Sequence, residues 1–461
     1  MTKMTREGIA LLKEAASDVH WLEGADDLES CAVDGMTPCL AGFPRTPQGV
    51  AQALNAAERA GWAVVPRGGG MSIETGNPRR GLDLLLHLGE LNQILEHDRE
   101  NLTVTVQAGC TLAGLERHLK GANQWLPLEA PDPWRCTVGG VLAANVSGPR
   151  RLRYGTARDL VLGLEVALVN GQVIHPGGKT MKNVAGYDLS RLFIGSWGTL
   201  GVITAATFRL LPLPARAETV LSTFASAEIA FAFAQALCGS RLFPTAVEVV
   251  SALPASLGFA VPPPGAAAAV LLEGSDLAVQ RQVRDASKLA QTGGAAQVER
   301  LDGEAQANLW AALARNEVPA TSGRVPSEPL DARGPGCERM PGDEDRPQGS
   351  LPLLLRFGVP PARLPEAWSL VEGQGIYRQA RAGSGLLYVA LPKGEAAQIE
   401  RWREAVAAME GYLVVEHAPL ALRRQVDAWG PAGRQARVLR ALKDQFDPRH
   451  CLNPGLFVER L

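Results

Sequence analysis

The sequence predicts an α+β protein of at least two domains. The chain has 461 residues, too many for one ordinary hydrophobic core. Through residue 215, glycines and other small residues gather in three separated segments beside strand-like runs. From residue 216 the pattern changes to two strand–helix–strand blocks, which reads as an antiparallel sheet with helices on one face.

The N-terminal stretch "MTKMTREGIALLKEAASD" is charged throughout and predicts a surface helix rather than a signal peptide. In "RTPQGVAQALNAAERAGW", Thr46 suits an N-cap and Pro47 the first helical position. Val50, Ala53, Leu54 and Ala57 form the apolar stripe, and Gly61 ends it. Strands are expected at "AVVP", at 82–88 and at 102–109. Thr111 then caps "LAGLERHLKG". Segment 160–175 predicts a hairpin with Asn170-Gly171 in a type I′ turn. A single long strand is expected over 200–214. Asp188 is placed to cap "LSRLFIG".

The second region reads as strand "ETVLSTF", helix "AEIAFAFAQALC", strands "AVEVVS" and "AAAVLLEG", and a helix over 276–291. The later block is "PLLLRFG", a helical pattern from 361, "LLYVALP", "EAAQIERWREAVAAME" and "YLVVEH". Between the blocks, 319–350 is rich in Pro, Gly and charge and predicts a flexible loop. A helix over about 432–446 precedes the tail "FDPRHCLNPGLF".

The net charge of −2 gives no electrostatic reason to expect nucleic acid. The seven cysteines are scattered without a CxxC, so the spacing suggests no metal or iron–sulfur cluster and fits a reducing cytoplasm. No apolar run of about 18 residues predicts a membrane helix.

The stretch "PRGGGMS" (66–72) follows the strand "AVVP". It is not the dinucleotide fingerprint GxGxxG, because Ile73 stands where the third glycine belongs. It also lacks the GK[ST] of NTPase phosphate loops. Consecutive glycines still let backbone N–H groups converge on an anion, and a diphosphate is a natural occupant. A plain tight turn is the competing reading. Thr137-Val138-Gly139-Gly140, "AANVSG" and "IGSWGTLGVIT" add small residues in two further segments, as a long ligand threaded along backbone requires.

Arg67-Gly68-Gly69-Gly70, Thr137 to Gly140, Tyr154-Gly155 with Arg158-Asp159, and Gly198 to Ile203 together resemble the FAD-binding domain of the vanillyl-alcohol oxidase/PCMH flavoprotein superfamily. "KTMKNVAGYDLSRLFIGSWGTLGVI" and "LKDQFDPRHCLNPGLF" resemble the FAD-binding subunits of bacterial glycolate oxidases. The resemblance implies a two-part PCMH-type FAD-binding domain over 30–215. An antiparallel α+β cap domain follows over 216–430, and a tail over 431–461 returns to the first domain. It further implies FAD contacts from Pro66, Arg67, Gly68, Gly69, Gly70, Met71, Ser72, Pro131, Thr137, Val138, Gly139, Gly140, Asn145, Gly148, Gly198, Gly201, Val202, Ile203 and Asn453. Some relatives bond the flavin through a histidine where Met71 stands, so non-covalent FAD is expected here. The implied partners are a catalytic FAD-linked glycolate oxidase subunit and an iron–sulfur subunit, and the implied substrate is a small 2-hydroxy acid. The expected location is the cytoplasm, at the inner membrane only through partners.

Oxidation of a 2-hydroxy acid needs a hydride acceptor, a base and a cation for the carboxylate. Arg150, Arg151, Arg153, Arg356 and Arg381 are candidates for the cation, since the guanidinium fork matches a carboxylate. A solvated surface charge is the plain alternative for each. His417, after strand "YLVVE", is the best-placed histidine for the base. The catalytic residues are otherwise not identified by the sequence. Nothing like the segment HxGDGNxH, typical of catalytic relatives, is found in the chain, and no metal site is expected. Lys179, Lys182 and the run Asn183 to Asp188 form a further glycine-containing loop of mixed character.

Overall fold

A computed structural model describes residues 5–179, 188–253, 261, 264–316, 353–373 and 377–461. The loop expected over 319–350, Lys182 and the run from Asn183 to Tyr187 lie outside the described residues.

The first sheet contains β1 (Val19–Leu22), β2 (Leu40–Pro44), β3 (Val64–Arg67) and β4 (Leu84–His87), in the order β1-β2-β4-β3. Strands β2, β4 and β3 are parallel, whereas β1 is antiparallel to β2, so this sheet starts upstream of residue 30. The crossover helix Pro47–Ala60 forms as its sequence dictates. Thr46 Oγ1 accepts from Gly49 N at 3.0 Å, and Gly61 closes the helix at φ +72°. A cap of this kind contributes about 1 kcal/mol. Val50, Ala53, Leu54 and Ala57 are buried against Val64, Leu84 and Leu86.

The second sheet contains β5 (Ile94–Asp98), β6 (Thr103–Gln107), β8 (Val161–Ala167), β9 (Val173–Ile174) and β10 (Val202–Arg209), all antiparallel in the order β5-β6-β10-β8-β9. The short strand β7 (Gln124–Trp125) pairs separately with β11 (Leu211–Pro212). The long strand expected over 200–214 is therefore two strands, since Leu210 N turns away to donate to Leu102 O at 2.7 Å. The β8–β9 hairpin forms, but not through a type I′ turn. Gly171 N donates to Leu168 O at 3.1 Å, and Gly171 alone has positive φ, +85°, which is the three-residue bulged connection. Asp188 does not cap the next helix, Ser190–Phe193; it pairs with Arg191 at 2.9 Å.

The third sheet is antiparallel and has eight strands among the described residues: β12 (Arg216–Phe224), β13 (Ala246–Val250), β14 (Ala266–Gly274), β15 (Ala295–Leu301), β16 (Leu353–Gly358), β17 (Tyr377–Arg381), β18 (Leu386–Leu391) and β19 (Tyr412–His417). Their order is β15-β12-β14-β13-β17-β18-β16-β19. The two blocks thus join into one sheet through the β13–β17 pairing. Helices Ala227–Cys238, Asp276–Thr292, Leu364–Leu370 and Ala396–Ala407 cover one face through a shared apolar core. The helices are not confined to that face. Helix Gly303–Arg315 buries Leu309, Trp310 and Leu313 against Leu221, Val250 and Tyr377 on the other. Beyond it, that second face is polar: Arg356 stands opposite Tyr388, Tyr388 opposite Gln379, and Arg381 opposite Glu248.

The tail does return to the first sheet. Val64 N donates to Cys451 O at 2.8 Å, Asn453 N to Val64 O at 2.9 Å, and Arg80 N to Pro454 O at 2.7 Å. Lys443 anchors the helix Ala436–Phe446 that precedes it. Its buried ammonium donates to Thr199 O at 2.8 Å, Leu452 O at 2.9 Å and Asp447 Oδ2 at 2.6 Å. Burial lowers its pKa, and Asp447 opposes that shift.

Candidate active site

Strand β3 delivers the backbone of Gly68 to Ser72 into the space between the first two sheets. Close packing explains the first two glycines. A Cβ on Gly68 would lie 2.2 Å from Thr137 Oγ1, and one on Gly69 would lie 1.6 Å from Arg135 O. Gly70 has φ +75°, which a side chain rarely tolerates. Among the described residues, the N–H groups of Gly68, Gly69, Gly70, Met71 and Ser72 donate to no protein acceptor. Successive N–H groups left free in a glycine turn form an anion-binding concavity. Met71 packs against the core of the second sheet.

The other glycine segments converge on this loop. Thr137 caps helix Val138–Ala144, accepting from Gly140 N at 3.3 Å, and Gly139 N donates to Ala108 O at 2.7 Å. Asn145 ends the helix at φ +51°, and its Oδ1 is buried without a hydrogen-bond partner among the described residues. Gly195 N donates to Leu142 O at 3.0 Å, and Trp197 N to Ala143 O at 2.9 Å. A Cβ on Gly198 would lie 3.0 Å from Pro66 Cγ and 3.3 Å from Asn453 Nδ2. Asn453 Nδ2 donates to Trp197 O at 2.9 Å, while its Oδ1 accepts from Arg79 Nε at 2.9 Å.

Arg79 is itself part of a buried ion triad. It pairs with Asp34 at 3.0 Å, and Asp34 pairs with Arg423 at 2.9 Å, so the first sheet, the tail and the segment after β19 are locked together. Burial lowers the Arg79 pKa, against the opposing charge of Asp34. His87, next to Arg67 in the β3–β4 register, is pushed down to about 4 by burial and by that arginine.

Some of the residues expected at the cofactor lie further back. Val138, Val202 and Ile203 bury their side chains in the cores, so only their backbones face outward. Gly201 packs against Val166, and Gly148 against the Glu129 carboxylate. Pro131 lies on the loop before Asp132, whose Oδ1 accepts from Trp134 N at 3.1 Å.

The candidate arginines separate by their partners. Arg150 is held between Glu129 and Glu273, which raise its pKa in spite of burial. Arg153 donates to Glu273 O at 2.6 Å. Arg356 pairs with Glu416 and donates to Tyr412 Oη at 3.1 Å; burial is again overridden and its pKa is raised. Arg381 faces Glu248 at 3.7 Å, donates to Ser147 O and stacks 4.6 Å from the Tyr388 ring centroid. Arg151 donates to Ser147 Oγ at 3.0 Å. Glu248 is fully buried, which pushes its pKa up to about 7 despite Arg381 and Gln379.

His417 does not join this group. It lines a different cleft with Asp34, Glu74, Pro419 and Arg423. Among the described residues, no three His, Cys, Asp or Glu side chains gather as a metal site. The sequence reading overlooked one stretch. Residues 381–388, "RAGSGLLY", keep the two glycines of HxGDGNxH at Gly383 and Gly385, with Arg381 and Tyr388 in the places of its histidines. The signal available was the glycine spacing alone.

Bare backbone from three segments meeting at one anion-binding turn suits an FAD-dependent oxidoreductase. Comparisons agree. The family model described as FAD binding domain matches residues 40–177, and that for FAD linked oxidases, C-terminal domain, matches 213–325 and 380–456. "Glycolate oxidase subunit GlcD" of Bacillus subtilis is 29% identical over 89% of this chain and 87% of its own. A "D-lactate dehydrogenase" of Archaeoglobus fulgidus is 29% identical over 91% of each chain. A mitochondrial "D-2-hydroxyglutarate dehydrogenase" of Danio rerio is 37% identical over 44% of this chain and 37% of its own. A solved alkyldihydroxyacetonephosphate synthase shares the fold, with TM-score 0.70 over 98% of this chain and 85% of that one, at 17% identity. The chain belongs to the PCMH-type FAD-linked oxidase family, and FAD is its cofactor. No helix among the described residues is long and apolar enough to cross a membrane.

Proposed function

We propose that this chain is the FAD-binding subunit of a glycolate oxidase-type complex that oxidises short 2-hydroxy acids to 2-oxo acids. The observation that carries the reading is the row of free N–H groups at Gly68–Ser72, facing the segments that hold Thr137, Asn145, Gly198 and Asn453. The named relatives act on glycolate, D-lactate and D-2-hydroxyglutarate, all 2-hydroxy acids.

In this reading the residues named from the sequence, Pro66 to Ser72, Pro131, Thr137 to Gly140, Asn145, Gly148, Gly198, Gly201 to Ile203 and Asn453, form the FAD site. The loop N–H groups offset the diphosphate charge. Met71 offers no atom for a covalent flavin link, so FAD is held by packing and hydrogen bonds. Bound FAD supplies a hydride acceptor. The polar face of the third sheet, with the buried Tyr388, holds the substrate carboxylate. No cysteine spacing in the chain suits an iron–sulfur cluster, so electrons leave to a partner iron–sulfur subunit beside a catalytic flavoprotein subunit. The complex is cytoplasmic and meets a membrane only through those partners.

Isolation of the chain from its native host tests this. The expected eluate is yellow and contains an iron–sulfur protein and a second flavoprotein. A chain that binds no FAD refutes the reading. The cluster of Arg151, Arg356, Arg381 and Tyr388 favours a second reading, a self-sufficient dehydrogenase. Reduction of the isolated chain's flavin by a 2-hydroxy acid, with turnover on an artificial acceptor, selects that one.

A further inference from the structure

At the seam between the first two sheets and the third, two guanidiniums meet at Ser147, and a third, Arg356, adds its charge nearby. Arg381 donates to the Ser147 carbonyl and Arg151 to its hydroxyl, at 3.0 Å for the latter. The turn after Arg381 docks on the same segment, since a Cβ on Gly383 would lie 2.4 Å from Leu152. Arg356 stands opposite Tyr388 in the sheet, and Tyr388 lies under Arg381.

Charge accounting separates the three. Arg356 has Glu416 and Arg381 has Glu248, whereas Arg151 has no carboxylate within ion-pair distance among the described residues. Its one hydrogen bond, to Ser147 Oγ, leaves other guanidinium donors unused. Burial and the like charges of Arg381 and Arg356 depress its pKa, whereas Tyr388 and Tyr412 oppose that shift. A half-buried cation with donors to spare and no counter-charge gains most from an incoming anion. One uncompensated charge suits one carboxylate.

Resting on the proposed 2-hydroxy-acid reading, the geometry points to Arg151 as the residue that binds the substrate carboxylate, and to a short 2-hydroxy monocarboxylate as the substrate class. Arg381 and Ser147 position it, and the other two guanidiniums of the cluster, Arg356 and Arg381, already face Glu416 and Glu248.

Calorimetric titration of the FAD-loaded protein with oxamate, a monoanion that does not reduce flavin, and with 2-oxoglutarate, a dianion, tests this. The wild type is expected to bind oxamate the more tightly. Arg151→Ala weakens oxamate roughly 30-fold or more while keeping FAD. Arg151→Lys recovers part of the affinity, and Arg401→Ala, on an exposed helix surface, changes nothing. Thermal melts of each variant show whether it is folded, and Arg151→Lys carries the test if the alanine variant is not. Oxamate binding unchanged in the folded variants overturns the assignment, as does a flavin-loaded wild type that binds no oxamate. Tighter binding of 2-oxoglutarate overturns the substrate class. A wild type that takes up no FAD removes the underlying reading first, and this one with it.

Discussion

The proposed flavin groove and the cationic seam are built from opposite materials. The groove is made of backbone: bare glycines, free N–H groups and helix caps, with side chains such as Val138 and Ile203 turned into the core. The seam is made of long side chains: Arg356 and Arg381 project from the third sheet with Glu416 and Glu248, and Arg151 meets them from the short helix Arg151–Tyr154. A backbone-built site tolerates almost no added atom. A side-chain-built one can be altered one charge at a time.

The largest effect is therefore expected at Gly69. Gly69→Val places carbon where Arg135 O already sits, and FAD affinity should fall by at least two orders of magnitude, read by flavin fluorescence titration. Retained affinity would break the contrast at its first term. Next comes the brace behind the groove. Lys443→Met leaves Asp447 buried without its cation, held only by the Cys451 and Leu452 N–H groups, and should cost about 3–5 kcal/mol in denaturant unfolding.

The seam should respond to pH instead. The folded-state pKa of Glu248 lies above its ordinary value of 4.5, at about 7, so folding favours its protonated form. Its contribution is fully present below about 4.5 and is lost as pH rises through about 7, roughly 3 kcal/mol in all. Glu248→Gln should flatten that part of the stability profile. An unchanged slope would assign it to another group. The smallest effect is at Met71. Met71→Ala should cost about 1–2 kcal/mol of packing and leave all the flavin extractable by acid precipitation.

What was legible in the sequence follows the same division. Thr46, Pro47 and Gly61 define their helix because caps and φ preferences are local, and the glycine segments mark the groove for the same reason. The ion triad was not legible: Asp34 meets Arg423 from the far end of the chain, and Arg79 reaches Asn453 across 374 residues, which no local pattern encodes. Nor was Lys443, which reads as one more surface cation of an amphipathic helix until Thr199 and Leu452 are brought to it. Helix Gly303–Arg315 went unread beside the 319–350 loop, although Leu309, Trp310 and Leu313 recur at helical spacing. At 170–171 the Asn-Gly pair signalled a hairpin correctly but not its turn, because that choice depends on how β8 and β9 register. The five candidate arginines looked alike in sequence, and only their partners distinguish them: carboxylates for Arg150, Arg356 and Arg381, a backbone carbonyl for Arg153 and a hydroxyl for Arg151.

The most direct test of the account is a titration of flavin-free protein with FAD, followed by quenching of flavin fluorescence and by visible circular dichroism. The account predicts one FAD bound per chain, in a fixed asymmetric environment, released intact on denaturation and absent in Gly69→Val. Fluorescence that stays unquenched in the folded wild type, or a Gly69→Val protein that binds as well, would contradict it.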